Sequence, residues 1–260
     1  MGMVASACSS RRIRRSIWSR TISMPWPPIR EPGSKVTPGD APSPCQRRPP
    51  ILSPSYNPEP RMRYAETHKE ETRRRVVKTA AGAVRANGPD GVGVAKIMAQ
   101  AGLTHGGFYA HFPNKEALVA AAIEEAFAQS RRRFGRITDG MAASRALETF
   151  VDSYVSMEHR THPQQGCPAS SLANYMPRQG AAVRAAFDGG VRGMIGQIAA
   201  WLPGENLAER EGLANSLLAE MSGAVALSRA VSDVALAERL LDECRTRIKA
   251  RAGLAVAAQD

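Results

Sequence analysis

The chain lacks the features of several large protein classes. Its 260 residues include only four cysteines (Cys8, Cys45, Cys167 and Cys244) with no Cys-x-x-Cys pair, so neither a zinc ribbon nor a disulfide framework is indicated. No apolar run approaches the roughly 18 residues that a membrane span needs. Strand signals are almost absent after Thr67. We therefore expect an all-α protein of the reducing cytoplasm that has no cofactor and no membrane partner.

Positive charge is abundant but unevenly distributed along the chain. Residues 1–61 contain ten Lys/Arg and three acids, a net charge of +7, and residues 62–135 contain twelve and seven, a net of +5. Residues 136–260 contain thirteen and fourteen, a net of −1. A non-specific architectural DNA binder would be basic throughout, so the neutral C-terminal half argues against that class.

Residues 1–61 are rich in Pro, Ser and Arg, a composition that predicts a disordered extension. A secretory or lipoprotein signal would need an apolar stretch of about 7–15 residues, which this segment lacks. Two alternatives are kept open. Residues 1–30 are free of acids and suit an organellar transit peptide, and Met62 is a second candidate for the natural start.

A helical pattern begins at Thr67. Apolar residues at Val76, Val77, Ala80 and Val84 predict a helix that ends at Asn87-Gly88-Pro89. A second helix is expected from Val94 to about Ala101, with Gly102 as a left-handed C-cap.

The most informative segment follows directly, in residues 102–115 (GLTHGGFYAHFPNK). We expect Thr104 to cap a short third helix through its hydroxyl, and Phe108 and Phe112 to pack inward because they lie four apart. Asn114 is expected to cap a long fourth helix that runs to about Phe134. Two short helices joined by a tight turn form a helix-turn-helix, whose second helix enters the major groove of DNA.

The remainder is predicted to be helical as well, with breaks at Thr161-His162-Pro163, Pro177, Pro203-Gly204 and Ser232-Asp233. The expected helices cover 142–159, 169–175, 181–201, 207–231 and 236–250. The last two have wide apolar faces, which suit both a core and a contact with a second subunit.

These residues resemble the TetR/AcrR family of transcriptional repressors over about fifty positions. The matching positions are Val76, Val77, Ala80, Gly88, Val94, Ile97, Ala101–Thr104, Gly106, Phe108, Tyr109, His111, Phe112, Lys115, Glu116 and Leu118. The resemblance implies a DNA-binding domain at 62–121 and a helical effector-binding and dimerisation domain at 122–260. It also implies a homodimer through the last two long helices, bound to a palindromic double-stranded operator and released by a small-molecule effector.

The resemblance also implies roles for individual residues. The expected DNA contacts are Arg73, Arg74, Thr104, His105, Gly106, Gly107, Tyr109, His111 and Lys115, with His105 the candidate base reader. Three positions depart from the family pattern: Gly93 replaces a capping Thr or Ser, Met98 a small residue, and Gly107 an Ala, Ser or Thr.

The effector site is less well defined by the sequence. Apolar and aromatic side chains that could line a cavity are Tyr154, Met157, Tyr175, Met176, Phe187 and Trp201, and all of them also suit a plain core. Cys167, between Gly166 and Pro168 near a helix start, supports an alternative hypothesis of thiol-based electrophile or redox sensing.

Two further readings of the same region are weaker. His159, His162 and Cys167 include metal-ligand types but have no nearby fourth ligand, so a solvated turn is expected rather than a metal site. A Cys167/His162 dyad would make the chain an enzyme, but no orienting third group is visible. We therefore expect a regulator and no catalytic activity.

Overall fold

The computed structural model describes residues 59–254, with side chains from Thr67 onward. Within that range the chain is helical and contains no strand. Nine α-helices occur there: α1 (Glu59–Asn87), α2 (Val94–Gln100), α3 (Lys115–Thr138), α4 (Ala143–Tyr154), α5 (Met157–Thr161), α6 (Pro168–Leu172), α7 (Ala181–Trp201), α8 (Leu207–Ala230) and α9 (Val234–Arg251). The all-α prediction is confirmed.

Three 3₁₀ segments connect these helices: His105–Ala110, Pro163–Gln165 and Ala173–Arg178. The first is the predicted third helix, which we call the recognition helix. Adjacent glycines at 106 and 107 weaken helix propensity there, and a short 3₁₀ form is a common outcome in such segments.

The start of α1 corrects one expectation. The helix begins at Glu59, so residues 59–61 are helical rather than part of a disordered extension. Two expectations remain for the extension: a transit peptide in residues 1–30, and a natural start at Met62. Both concern the status of residues 1–58, which lie outside the described residues.

α3 is the central element of the fold. It packs against α1 on one side and α7 on the other, and it spans the expected domain boundary at residues 121–122 without a break. Gly190 permits the close approach of α7, because a side chain there would occupy the space of the Phe127 ring. We call α1, α2 and the recognition helix the headpiece, and α4–α9 the body.

The helix expected at 142–159 is two helices. Val155 leaves helical geometry with φ −93° and ψ 72°, and α5 restarts under a cap in which the hydroxyl of Ser156 accepts from the His159 amide at 3.1 Å. Serine is a favoured N-cap because its oxygen satisfies an amide that the first helical turn leaves unpaired. The segment expected at 169–175 is likewise divided between α6 and a 3₁₀ turn.

The body has a continuous apolar core. Its largest buried side chains are Phe150, Tyr154, Leu147, Leu172, Met194 and Ile198, and Phe127 of α3 is buried as well. Helices α8 and α9 pack against each other, and α8 also contacts α7. No helix in residues 59–254 is both long enough and apolar enough to cross a membrane.

Candidate functional site

The turn between α2 and the recognition helix is fixed by Gly102. Its φ is +74°, a left-handed conformation that glycine adopts without steric cost. The Leu103 amide donates to the Met98 carbonyl at 2.9 Å, and the Gly102 amide donates to the Ala99 carbonyl at 3.0 Å. This pair of bonds is a Schellman motif, so the predicted C-cap is confirmed and the angle between the two helices is set by backbone bonds.

The inner face of the recognition helix is held by two aromatic rings. Phe108 and Phe112 are 2% and 1% exposed, and their centroids lie 5.7 Å apart in a stacked arrangement. This matches the inward packing predicted from their spacing. Burying both rings anchors the short helix to the headpiece through several kcal/mol of apolar contact, about 1.5–3 for each ring.

The outer face carries the residues expected to meet DNA. Tyr109 is 69% exposed although its ring packs edge-on against Phe108 at 5.2 Å. Thr104, His105 and Gly106 are exposed around it. An aromatic body with a hydroxyl tip is therefore presented to solvent beside open backbone, an arrangement suited to close contact with a nucleic-acid backbone.

Thr104 corrects a detail of the prediction. It occupies the N-cap position, but its side chain makes no capping bond, and its backbone carbonyl accepts from the Gly107 amide at 3.1 Å. A 3₁₀ turn places that amide on the carbonyl three residues before it, so the hydroxyl is not needed there.

Asn114 and Lys115 organise the start of α3. The side-chain oxygen of Asn114 accepts from the Ala117 amide at 2.8 Å, as predicted for the cap. The Lys115 ammonium donates to the carbonyl of Asp90 at 3.2 Å, in the loop between α1 and α2. An ammonium has three N–H groups, so this bond orients Lys115 and leaves donors for an anion.

His111 is less open than its neighbours. The residue is half-buried, and its Nδ1 is buried with no hydrogen-bond partner among the described residues. Burial lowers the pKa of His111, and the positive charges of Lys69 and Arg73 lower it further. These effects favour the neutral imidazole at His111.

The two arginines expected to clamp the backbone lie on the exposed side of α1. The Arg73 guanidinium lies 5.0 Å from the centroid of the Phe112 ring, a cation–π contact. Arg74 pairs with Glu70 at 3.5 Å, and both side chains are more than 70% exposed. A groove of about 580 Å³ continues from them between α1 and α3, bordered by Lys78, Arg131 and Arg132 together with two glutamates.

The predicted effector residues do not form one cavity. Tyr154, Cys167 and Met176 are buried in the core, Trp201 packs on Phe150 and Phe187 on Phe127. Met157 is partly buried against the core. Only Tyr175 of the predicted set lines a pocket of about 340 Å³ between α8 and the segment 169–175.

Cys167 lies in a closed environment. It is fully buried, and burial raises the pKa of its thiol, against which hydrogen bonds act only in part. A buried neutral thiol is a poor nucleophile because the thiolate is the reactive form. The geometry therefore does not favour the electrophile-sensing hypothesis in this conformation.

The histidine beside Cys167 is His159, not His162. Its Nε2 accepts from the backbone amide of Cys167 at 2.9 Å, which places the ring proton on Nδ1, facing the Tyr154 carbonyl at 2.7 Å. His162 is exposed, and its Nδ1 contacts Thr161 and a backbone carbonyl. The dyad considered from the sequence is not assembled. Among the described residues no three His, Cys, Asp or Glu side chains are grouped for a metal ion.

Sequence reasoning missed the contacts that join headpiece and body. Arg85, in the last turn of α1, is 5% exposed and donates to the Gln164 carbonyl at 2.8 Å, the Ala126 carbonyl at 3.1 Å and the Gln129 side chain at 2.7 Å. Asp90 accepts from Gln179 at 3.4 Å just before α7. In the sequence, Arg85 is recognisable only as a basic residue near the C-terminus of a helix, and side chains of that kind are usually exposed.

Comparisons with known proteins agree with this architecture. Residues 76–122 match the family described as bacterial regulatory proteins, tetR family. A comparison with curated proteins gives no match. Among solved structures, a TetR transcriptional regulator from Chloroflexus aurantiacus J-10-FL is 27% identical with a TM-score of 0.57, covering 70% of this chain and 96% of that one.

Two more distant structures share the fold. E. coli NemR in its reduced form has 19% identity and a TM-score of 0.59, covering 73% of this chain and 100% of that one. A TetR-family regulator from Cytophaga hutchinsonii has 18% identity and a TM-score of 0.60, covering 73% and 97%.

A helix-turn-helix followed by a helical body defines a DNA-binding transcriptional regulator. Residues 76–122 match the tetR-family helix-turn-helix, and the described fold as a whole is similar to that of TetR-family transcriptional regulators.

Proposed function

We propose that the chain is a repressor that binds a palindromic operator as a homodimer and leaves it when a small molecule binds the body. The observation that carries the proposal is the division of the recognition helix into a buried face, Phe108 and Phe112, and an exposed face centred on Tyr109. A rigidly anchored short helix with one open face can enter a major groove without rearranging the headpiece.

In this proposal the DNA contacts divide into two kinds. Thr104, Tyr109, His111 and Lys115 meet phosphates, as do Arg73 and Arg74 from α1, and these contacts supply affinity and salt dependence. His105 reads a base edge, and Gly106 and Gly107 allow close backbone approach. The DNA-binding domain covers residues 62–121 and the effector and dimer domain residues 122–260.

The proposed dimer forms through α8 and α9. These helices expose large apolar side chains that a monomer leaves in water: Leu207, Leu227, Val234 and Leu236 are 55%, 53%, 52% and 36% exposed. Large apolar side chains left exposed on two helices that pack against each other support a protein contact there. A charge placed there should separate the subunits.

Sedimentation tests the dimer with matched variants. Leu227→Asp and Val234→Asp are expected to shift the protein to monomers, because each places a carboxylate in an apolar contact. Met141→Asp, at an apolar side chain of similar exposure (41%) outside α8 and α9, should leave the dimer intact. Dimers that persist in both α8 and α9 variants would place the contact elsewhere.

Selection of bound sites from random double-stranded DNA tests the operator. The proposal requires enrichment of an inverted repeat whose half-sites lie about one helical turn apart or a multiple of it. Enrichment of an asymmetric site, or of no sequence, would contradict it.

A further inference from the structure

Tyr175 lies between the headpiece and the pocket formed by α8 and residues 169–175. Tyr175 forms part of the pocket wall, and its ring atoms Cε1 and Cζ lie 2.6 Å from the position that a Cβ on Gly88 would take. Gly88 is the left-handed residue, φ +74°, that ends α1, and its amide donates to the Val84 carbonyl at 2.8 Å. One aromatic ring therefore separates the pocket from the C-terminus of α1.

The pocket wall consists mostly of small side chains, is more apolar than polar, and carries no charge. Its side chains are Ala169, Ser170, Ser171, Ala173, Asn174, Tyr175, Ala219, Ser222, Gly223 and Ala226. A volume of about 340 Å³ is at the lower end of small-molecule sites. A charged ligand would lose its hydration without gaining an opposite charge from this wall, so a neutral ligand is favoured.

Hydrogen-bonding groups remain available in that wall. The Ser222 hydroxyl pairs with the Tyr154 hydroxyl at 2.9 Å, and a hydroxyl has capacity for more than one bond. Asn174 is an exposed residue of the wall, and its side-chain amide makes no hydrogen bond within the described part of the chain. Ser170 is already engaged with the Cys167 carbonyl at 2.9 Å and with Arg229 at 3.3 Å.

We propose that this pocket binds a small uncharged molecule carrying hydrogen-bonding groups, and that Tyr175 transmits its occupancy to the end of α1. The inference rests on the proposed repressor function and specifies where and how its effector acts. A bound molecule displaces the Tyr175 ring. Because this ring packs against Gly88, its displacement changes the angle between α1 and the body. Gly88 has no side chain of its own to absorb that displacement.

Tethering a group in the pocket tests the site without knowledge of the natural ligand. The full chain carries Asn174→Cys in a background of Cys8→Ser, Cys45→Ser and Cys244→Ser, leaving only the buried Cys167. It is labelled with benzyl or methyl methanethiosulfonate. Arg178→Cys, exposed on the same 3₁₀ segment but outside the pocket wall, is the matched control.

Operator affinity and amide hydrogen exchange of residues 84–92 are the two readouts. The benzyl group at position 174 is expected to weaken operator binding about tenfold or more and to speed exchange at 84–92. The methyl group at 174 and the benzyl group at 178 should change the affinity less than about twofold. If position 174 is fully labelled and amide exchange at residues 84–92 is unchanged, the proposal is overturned. It is also overturned if the dimer blocks labelling of the Asn174→Cys protein.

A second variant tests the route. With Tyr175→Ala added, the benzyl group at 174 should no longer affect exchange at residues 84–92, and an effect that persists would overturn the role of Tyr175. Amide exchange is measured without DNA, so it tests the pocket independently of the proposed function. A normal exchange response in a protein that enriches no operator would contradict the repressor function but not the pocket.

The ligand class is tested by competition with two probes of one shape. Benzamide should slow labelling of Asn174→Cys at lower concentration than benzoate, because the wall offers no cationic side chain. Stronger protection by benzoate would overturn the assignment to neutral ligands.

Discussion

The terminal methyl of Met98 lies 3.8 Å from the position that a Cβ on Gly107 would occupy. The two residues are separate departures from the family pattern in the sequence, yet they are neighbours in the fold. Met98 is fully buried, and its long side chain reaches the space that a side chain at position 107 would border. The two departures are therefore neighbours in the fold, at a spacing that still leaves room for an alanine at position 107.

Gly107→Ala is expected to fold and to stabilise the headpiece. Its φ is not in the left-handed region, and 3.8 Å is an ordinary van der Waals contact, so alanine fits and gains up to about 1 kcal/mol. Met98→Ala should cost about 2–5 kcal/mol through the cavity it leaves. Urea unfolding measures both. A destabilised Gly107→Ala protein would show that this helix needs the backbone freedom of glycine.

Arg85→Ala is expected to destabilise the protein by about 2 kcal/mol or more, because it removes the donor of the buried bond to the Ala126 carbonyl and of the part-buried bonds to Gln164 and Gln129. Arg85→Lys should recover part of that loss, since one ammonium replaces only some of the bonds that a guanidinium makes. Arg74→Ala, at an exposed arginine on the same helix, should change the free energy of unfolding by less than about 0.5 kcal/mol. Equal effects of Arg85→Ala and Arg74→Ala in urea unfolding would contradict the joining role of Arg85.

Stability should fall in mild acid because of His159. Burial, with Arg229 and Arg133 nearby, lowers its pKa from 6.5 to about 4, partly offset by the bond to the Tyr154 carbonyl. Below pH 6.5 the unfolded chain binds a proton that the folded chain does not, so stability decreases from pH 6.5 down to pH 4. The total loss is about 3 kcal/mol.

Urea midpoints across that pH window measure the effect. His159→Gln should remove the slope that belongs to this residue, whereas His162→Gln, at an exposed histidine on the next turn, should retain it. A slope unchanged in His159→Gln would assign the acid sensitivity to other groups.

Cys167 is expected to resist alkylation in the folded protein. Its thiol is fully buried and burial raises its pKa, so iodoacetamide should modify it only after unfolding. Peptide mass spectrometry after timed labelling, with and without denaturant, follows the modification. Rapid modification of the native protein together with loss of operator affinity would instead support thiol-based sensing.

Local features of the fold could be predicted because local chemistry sets them. Gly102 ends α2 through its own backbone conformation, Asn114 caps α3 through its own side chain, and the spacing of Phe108 and Phe112 is enough to bury both. These features depend on residues a few positions apart. A match to a known motif added the expected roles of the outward residues.

The joining contacts could not be predicted, because they connect residues far apart in sequence. Arg85 and Gln164 are 79 positions apart, and the sequence around either residue gives no sign of its contact with the other. The walls of the pocket beside α8 could not be predicted for the same reason: Tyr154 is buried in the core and Trp201 packs on Phe150, whereas serines with small neighbours line that pocket. Composition alone does not distinguish a residue that fills space from one that borders it.

Fluorescence anisotropy of the operator enriched from random DNA tests the central claim most directly. Tyr109→Ala and Lys115→Ala should each weaken binding, by about 1 kcal/mol or more, and Lys115→Ala should reduce the slope of log K against log salt by about 1. Arg145→Ala, at an exposed arginine in the body, should bind as the unaltered protein does. If Tyr109→Ala and Lys115→Ala also bind with unchanged affinity and salt slope, the recognition helix is not the DNA-binding surface.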